Sequence, residues 1–293
     1  MGGTRLNDTE YFYDLWKYSV KGSSWARISE KTTANANAVW GQQKGGGAGI
    51  NPGSRSGSAA WTDKNGNLWL FGGKNLDNSR GQQDLYNDLW MYSVKRESWT
   101  WVSGSDKPNG KGKFGKKGSQ SPEVAPAARA DALAWYDEKS DKLWIYGGNG
   151  IDSTGNDSGG LSDLWSYDIG KSTWQWAGGS TALFSDHLQS NQTYPGYRWA
   201  AATWKDQEGN FLLYGGQNKT SSNEIDINPT IWKFSPKTEK WSRVLAGAAP
   251  GIMSEAETFT DASGNLLLFG GRKFNSKTYR ANPTNEIWKI KTN

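Results

Sequence analysis

Gly66-Asn67-Leu68-Trp69-Leu70-Phe71-Gly72-Gly73, followed after a polar stretch by Asp88-Leu89-Trp90-Met91-Tyr92 and then by Trp99, is the passage on which the fold turns. A four-residue apolar run closed by two glycines reads as a buried strand that ends where the backbone needs positive φ. The aromatic run after it reads as a second strand, with Trp99 in a third. The passage recurs. Gly-Gly also closes Leu143 to Gly148, Phe211 to Gly216 and Leu266 to Gly271, and the aromatic strand returns at Leu15-Trp16, Leu164-Trp165, Ile231-Trp232 and Ile287-Trp288. A second tryptophan falls nine residues after the first in the pairs Trp16 and Trp25, Trp90 and Trp99, Trp165 and Trp174, and Trp232 and Trp241. Fixed spacing across variable loops is the mark of a structural repeat.

Working upstream, each Gly-Gly is preceded by a further strand opening on Pro and a small residue. Pro52-Gly53-Ser54-Arg55, Pro126-Ala127-Ala128-Arg129, Pro195-Gly196-Tyr197-Arg198 and Pro250-Gly251-Ile252-Met253 are the four openings, and an aromatic follows six residues later at Trp61, Trp135, Trp204 and Phe259. One unit is thus four strands, here lettered a to d from the inside outward. The 293 residues carry 18 tryptophans, 3 methionines and no cysteine, which excludes disulfides, thiolate metal sites and thiol nucleophiles. Apolar runs such as Leu68 to Phe71 and Leu266 to Phe269 are four residues and none exceeds five, far short of a membrane span. A net charge of +5 is a mild excess that fits acidic surfaces as well as plain solubility, so no nucleic-acid partner is expected.

The Gly-Gly doublets, with Tyr18 and Trp25, Tyr92 and Trp99, and Tyr167 and Trp174 each separated by six residues, resemble Kelch repeats, and the long Trp-rich units are similar to bacterial Kelch proteins. The resemblance implies an all-β, Kelch-type β-propeller of four-stranded antiparallel blades in one domain over 1–293. The units fall at a partial blade over 1–30, blades at about 55–103, 129–178 and 198–245, and a partial blade over 254–293. Met1-Gly2-Gly3 aligns with Phe71-Gly72-Gly73, so the expectation is a ring begun inside a blade, with coding sequence upstream. Closure of a four-bladed ring by an N-terminal strand d is the alternative.

Antiparallel topology puts the d-to-a connections and the b-to-c loops on one face. These are the long ones, whereas turns such as Asp63-Lys64-Asn65-Gly66-Asn67 are compact. Long loops on a rigid scaffold are where recognition sits. In Kelch adaptors the arginine opening strand a and the residue after Gly-Gly surround the channel mouth and meet acidic partners. Carried onto this chain, the resemblance implies a ligand site of Arg55, Arg129, Arg198, Lys74, Asn149, Gln217 and Arg272, interrupted at Met253. The alternative for the arginines is a structural stack on neighbouring aromatics. Lys107, Lys111, Lys113, Lys116 and Lys117 lie on one d-to-a connection and are expected to add positive potential over one sector of the mouth. Trp40-Gly41 and Phe114-Gly115 each stand fifteen residues before an arginine, as anchors on a blade edge would.

The chemistry search is mostly negative. His187 is the only histidine and stands in a polar loop, with no motif of a catalytic triad beside it. Copper oxidases of the galactose oxidase type share the fold but need histidine ligands and a cysteine-linked tyrosine, which this chain lacks. Asp186, Glu224 and Asp226 have no partner spacing, Gly45-Gly46-Gly47 lacks a phosphate-loop lysine, and the sequons at Asn7, Asn156, Asn191 and Asn218 are what an Asn-rich chain gives by chance. The reading is a non-catalytic module, without cofactor or metal, that binds a protein or glycan, acidic ones included. A carbohydrate-active enzyme resembling Kelch sugar mutarotases is the alternative, and it requires a carboxylate and an arginine converging in the channel. The compartment stays open, with a secreted or cell-surface setting preferred.

Overall fold

The computed structural model describes residues 3–4, 10–29, 33–77, 81–155, 158–184, 193–217, 230–244, 250–251, 253–275 and 280–290. Their regular structure is all β, without helix, and the sheets are antiparallel. Blade 1 is Ala59–Thr62, Leu68–Phe71, Leu89–Ser93 and Ser98–Ser103, in the order a-b-c-d. Blade 2 is Leu133–Asp137, Lys142–Tyr146, Leu164–Asp168 and Thr173–Gly178. Blade 3 is Ala202–Lys205, Phe211–Tyr214, Ile231–Ser235 and Lys240–Val244. Before them stands a hairpin of strands c and d, Trp16–Ser19 with Ser24–Arg27. After them comes a terminal sheet of Glu257–Thr260, Leu266–Phe269 and Ile287–Ile290.

Each blade buries both faces, and period-2 side chains supply both. The forward face of one blade meets the rear face of the next: Phe71 packs on Trp174 at 5.1 Å between blades 1 and 2, and Trp144 on Phe234 at 5.2 Å between blades 2 and 3. Flat rings at these separations sit in the favoured tilted and edge geometries, which is why a Trp-rich repeat suits sheet-on-sheet stacking.

The glycine doublet does more than end strand b. Gly73 N donates to Arg129 O at 2.8 Å, Gly148 N to Arg198 O at 2.9 Å and Gly216 N to Met253 O at 2.7 Å, so each doublet is hydrogen-bonded to the first residue of the next blade's strand a. At Gly72, with φ of 63°, a Cβ would lie 2.5 Å from Arg129 O. The doublet is therefore where blades approach backbone to backbone.

Two classes of connection differ from loops. After Gly-Gly the chain continues as a short hairpin, Lys74–Asp77 with Gln82–Leu85, Asn149–Ile151 with Ser158–Gly160, and Arg272–Asn275 with Arg280–Pro283. Strand residues such as Leu76 and Ile151 give these segments β character that Gly and Asn conceal in sequence. The d-to-a connections run along the outer blade edges, where Gly46 bridges Thr100 and Gln120–Ser121 pairs with Gln175 and Trp174, covering strands that would otherwise stand open. Trp40 packs on Trp90 and Trp101 at 5.1 and 4.9 Å, and Phe114 on Trp165 and Trp176 at 5.0 and 5.4 Å, so both aromatic-Gly steps are anchors. Asn7, Asn156, Asp186, His187, Asn191, Asn218, Glu224 and Asp226 lie outside the described residues.

Candidate functional site

Every strand a breaks two residues after its opening Arg or Met. Gly57, Asp131, Ala200 and Glu255 occupy that position with φ between 51° and 66°. The left-handed region is costly for side chains other than Gly, with Asp among the better tolerated. A chain of backbone bonds holds the conformation: Asp131 N donates to Gly57 O at 2.7 Å, Ala200 N to Asp131 O at 3.1 Å and Glu255 N to Ala200 O at 2.9 Å. These bonds run from blade to blade along the innermost strands and form an inner rim.

The break divides strand a. Its lower part pairs with strand b, while the residue just before the break pairs with the residue after Gly-Gly: Ser56 with Lys74, Ala130 with Asn149, Trp199 with Gln217 and Ser254 with Arg272. Four of the predicted site residues thus stand beside the inner rim. Lys74 of blade 1 reaches Asp131 of blade 2, Nζ to Oδ2 3.8 Å, and Gln217 Nε2 of blade 3 donates to Glu255 Oε1 of the terminal sheet at 2.8 Å. Asn149 is exposed, and the rim position of the following blade is Ala200, which has no polar side-chain atom. Arg272 is exposed and donates from Nη2 to Ala281 O at 3.0 Å. Burial pushes the Asp131 carboxyl above the ordinary carboxylate range, Lys74 pulls it back, and Glu255 pushes it up further. Carboxylates from blade 2 and from the terminal sheet therefore share one electrostatic field.

The arginines are elsewhere. Arg129 is fully buried, and its guanidinium forks onto Asp163 at 2.6 and 2.8 Å while also donating to Gly147 O at 2.9 Å and Ala127 O at 3.1 Å. Arg55 grips Asp88 at 2.8 and 2.9 Å, donates to Gly72 O and Pro52 O, and lies 4.7 Å from the Tyr86 ring centroid. Arg198 donates to Gly215 O at 2.9 Å and to Pro195 O. These side chains join the opening of strand a to the end of strand b, and in blades 1 and 2 to the start of strand c. They are buried clamps, held mainly by carboxylates and carbonyls, with the aromatic stack of the structural alternative present at Arg55 over Tyr86. The physical reason is geometric: the planar fork matches a carboxylate bidentately, as it does on Asp88 and Asp163.

Sequence reasoning missed Asp88 and Asp163 as the partners. Each also accepts from the indole two residues on, Trp90 and Trp165, at 2.6 Å. A signal existed: the Asp-x-Trp step occurs in the two complete units that pair it with an opening Arg. Where Met253 replaces the arginine, Glu286 stands at the aspartate's place and takes Lys273 Nζ at 3.0 Å and Trp288 Nε1 at 2.7 Å.

The lysine-rich connection does not gather at the mouth. Gly118 N donates to Trp176 O and Gln120–Ser121 lies on strand d, so Lys116 and Lys117 belong to the outer edge of blade 2. Lys111 lies by Gly155, beyond the Asn149–Ile151 strand, and Lys107 pairs with Asp106 at 3.8 Å. Among the described residues no group of three or more metal-ligating side chains converges.

A family model described as the Attractin/LZTR1 beta-propeller matches residues 1–288. The chain belongs to the Attractin/LZTR1 β-propeller family. A solved structure titled "Structure of YjhT" matches 98% of this chain and 80% of its own at 16% identity and a TM-score of 0.59, a likeness of fold. In this member of the Attractin/LZTR1 β-propeller family, the inner rim offers an amine, a guanidinium, two amides and two carboxylates. Such a set is balanced in charge and rich in both donors and acceptors. It can hydrogen-bond a polar partner and does not select for an acidic one.

Proposed function

We propose that this propeller, a single domain over 1–293, is a non-catalytic binding module whose partner, a protein or a glycan, is held at the inner rim by Lys74, Asp131, Asn149, Gln217 and Glu255. One observation supports the reading: the break in each strand a is held by blade-to-blade backbone bonds beside these residues, while the arginines are enclosed. Preorganised polar groups on rigid strands bind with little further loss of conformational freedom. The partner chemistry that fits is neutral or mixed in charge. The test is a screen of the immobilised chain against arrays of neutral and acidic glycans and of acidic peptides, followed by two variants. Lys74→Ser with Asn149→Ala should weaken any captured ligand at least about tenfold, the scale of one or two lost hydrogen bonds, and Lys116→Ser with Lys117→Ser should leave it unchanged. The opposite ranking removes the rim from the site.

The paired carboxylates keep an enzymatic reading alive, since Asp131, raised by burial, has the character of an acid–base group. The ion pair at the rim is Lys74 with Asp131, and among the described residues no arginine–carboxylate pair is found there. Anomer interconversion of free sugars followed by NMR, with and without the chain, separates the two readings. Acceleration abolished by Asp131→Asn would favour the enzyme.

A further inference from the structure

The d-to-a connections that edge blades 1 and 2 share one backbone. Val39 exchanges backbone bonds with Asn51, and Lys113 does so with Ala125, at 2.8–3.1 Å. Gly45 N donates to Gln42 O and Ser119 N to Lys116 O, and each connection then meets its own strand d, Lys44 N on Trp101 O and Gly118 N on Trp176 O. Trp40 and Phe114 anchor the two at the same place. Their surfaces differ. In blade 1 the exposed positions Asn37, Val39, Gln42 and Gln43 are uncharged, whereas their counterparts in blade 2 are Lys111, Lys113, Lys116 and Lys117, exposed as well. With Glu123 as the one acid, residues 111–123 carry a net charge of +3, against +1 from Lys44 over 37–49. Blade 1 forms the same backbone without these lysines, so packing does not account for them.

Local charge balance does not account for them either. Among the described residues none of the four has an ion pair, whereas Lys107 is held by Asp106 at 3.8 Å and Lys171 by Asp168 at 3.5 Å. They make a line rather than a knot. Lys111 lies by Gly155, and the Lys117 side chain lies over Gly178 at the end of strand d. Lys171 Nζ donates to Gln120 Oε1 at 3.0 Å and carries the line on towards the c-to-d turn. The seven residues from Lys111 to Lys117 reach at most about 25 Å. Uncompensated like charges in a row raise the local potential and draw in a polyanion.

We propose that this ridge on the outer edge of blade 2 is a docking surface for a sulfated polysaccharide. Ammonium groups are point charges without the planar fork that reads an anion bidentately, so they suit a ligand recognised by charge density along its length. The one aromatic of the stretch, Phe114, is turned inward onto Trp165 and Trp176. The ridge therefore lacks the exposed ring on which a nucleic-acid base stacks and the apolar anchor around which a protein interface is built. It lies apart from the inner rim, so the two sites stand or fall separately.

The test is binding of a fluorescent heparin octasaccharide to the full 293-residue chain, followed by anisotropy at about 50 and about 200 mM salt. The chain should bind at the lower salt and lose affinity on the order of tenfold at the higher, as counterion release requires. Placing the blade 1 residues in blade 2, Lys111→Asn, Lys113→Val, Lys116→Gln and Lys117→Gln together, should weaken binding at least about tenfold, the combined effect of four exposed ion pairs, with thermal melting unchanged. Lys116→Gln with Lys117→Gln serves if the fourfold variant melts lower, and should account for about half the loss in log affinity. Lys237→Gln with Lys240→Gln removes the same net charge from exposed positions of blade 3 and should stay within about twofold of wild type. No binding at the lower salt, undiminished binding by the ridge variants, or equal losses from the two double variants overturns the proposal. So does a DNA duplex, a polyglutamate peptide or a vesicle of anionic lipid that binds through the same lysines as tightly as the octasaccharide.

Discussion

Arg129 and Asp163 lie 34 residues apart in the chain and meet with both side chains out of reach of water. At the residue scale this clamp is where a substitution should be felt most. Asp163→Ala leaves a guanidinium buried beside Gly147 O and Ala127 O with no counter-charge, and the expected loss is about 3–5 kcal/mol in urea unfolding. Arg129→Met added to Asp163→Ala should recover part of that loss, because the apolar pair leaves no uncompensated charge. A single-variant loss under about 1 kcal/mol would mean that the site admits water. Both residues were legible as repeat positions. Their pairing was not, because a polar side chain in a periodic place looks the same in sequence whether it faces solvent or another strand.

At the scale of the element, the glycine doublet and the compact turn give a matched comparison within blade 1. Gly66 has φ of 78° and nothing within 4 Å of a Cβ, so Gly66→Ala should cost about 1–2 kcal/mol from backbone strain alone. Gly72→Ala carries the same strain, and its methyl must also displace Arg129 O and Tyr86 O, 2.5 and 2.9 Å away. Its midpoint in urea should fall by clearly more, and equal shifts would show that close approach is not what the doublet serves. The doublet's conformational need was readable from the two glycines. The identity of what approaches belongs to the next blade, about 57 residues on by the Gly72-to-Arg129 pairing, and no local pattern encodes it. The hairpins after Gly73, Gly148 and Gly271 were missed because their polar and glycine-rich composition carries little strand signal.

At the scale of the whole molecule, charges from three sheets meet at the inner rim: Lys74 from blade 1, Asp131 from blade 2 and Glu255 from the terminal sheet. Because burial, the largest influence, raises the Asp131 carboxyl in the fold, the folded chain favours its neutral form. The resulting contribution to stability is fully present below the unfolded carboxylate value of about 3.9 and is lost as pH rises through the higher folded value. Asp131→Asn, which tolerates the same left-handed backbone, should therefore melt higher than the wild type at pH 7 and equally near pH 3.5. The effect should be modest, since the side chain is 31% exposed. A wild type more stable than the variant at pH 7 would mean that attraction to Lys74 outweighs burial.

The sequence by itself determined the repeat, its four-strand unit, the places of the glycine doublets and the aromatic core, because period-2 burial and positive-φ positions leave marks at fixed spacing. The resemblance to Kelch repeats, more than any local pattern, singled out Lys74, Asn149, Gln217 and Arg272, which pair with the residue just before the break in strand a. Only the tertiary structure decided that Arg55, Arg129 and Arg198 are buried clamps, that Asp131 and Glu255 complete the rim, and that Lys116 and Lys117 stand on the outer edge. Each of these depends on what one blade offers another, and the free energy of a polar side chain is set by the partners that enclose it rather than by its own place in the repeat.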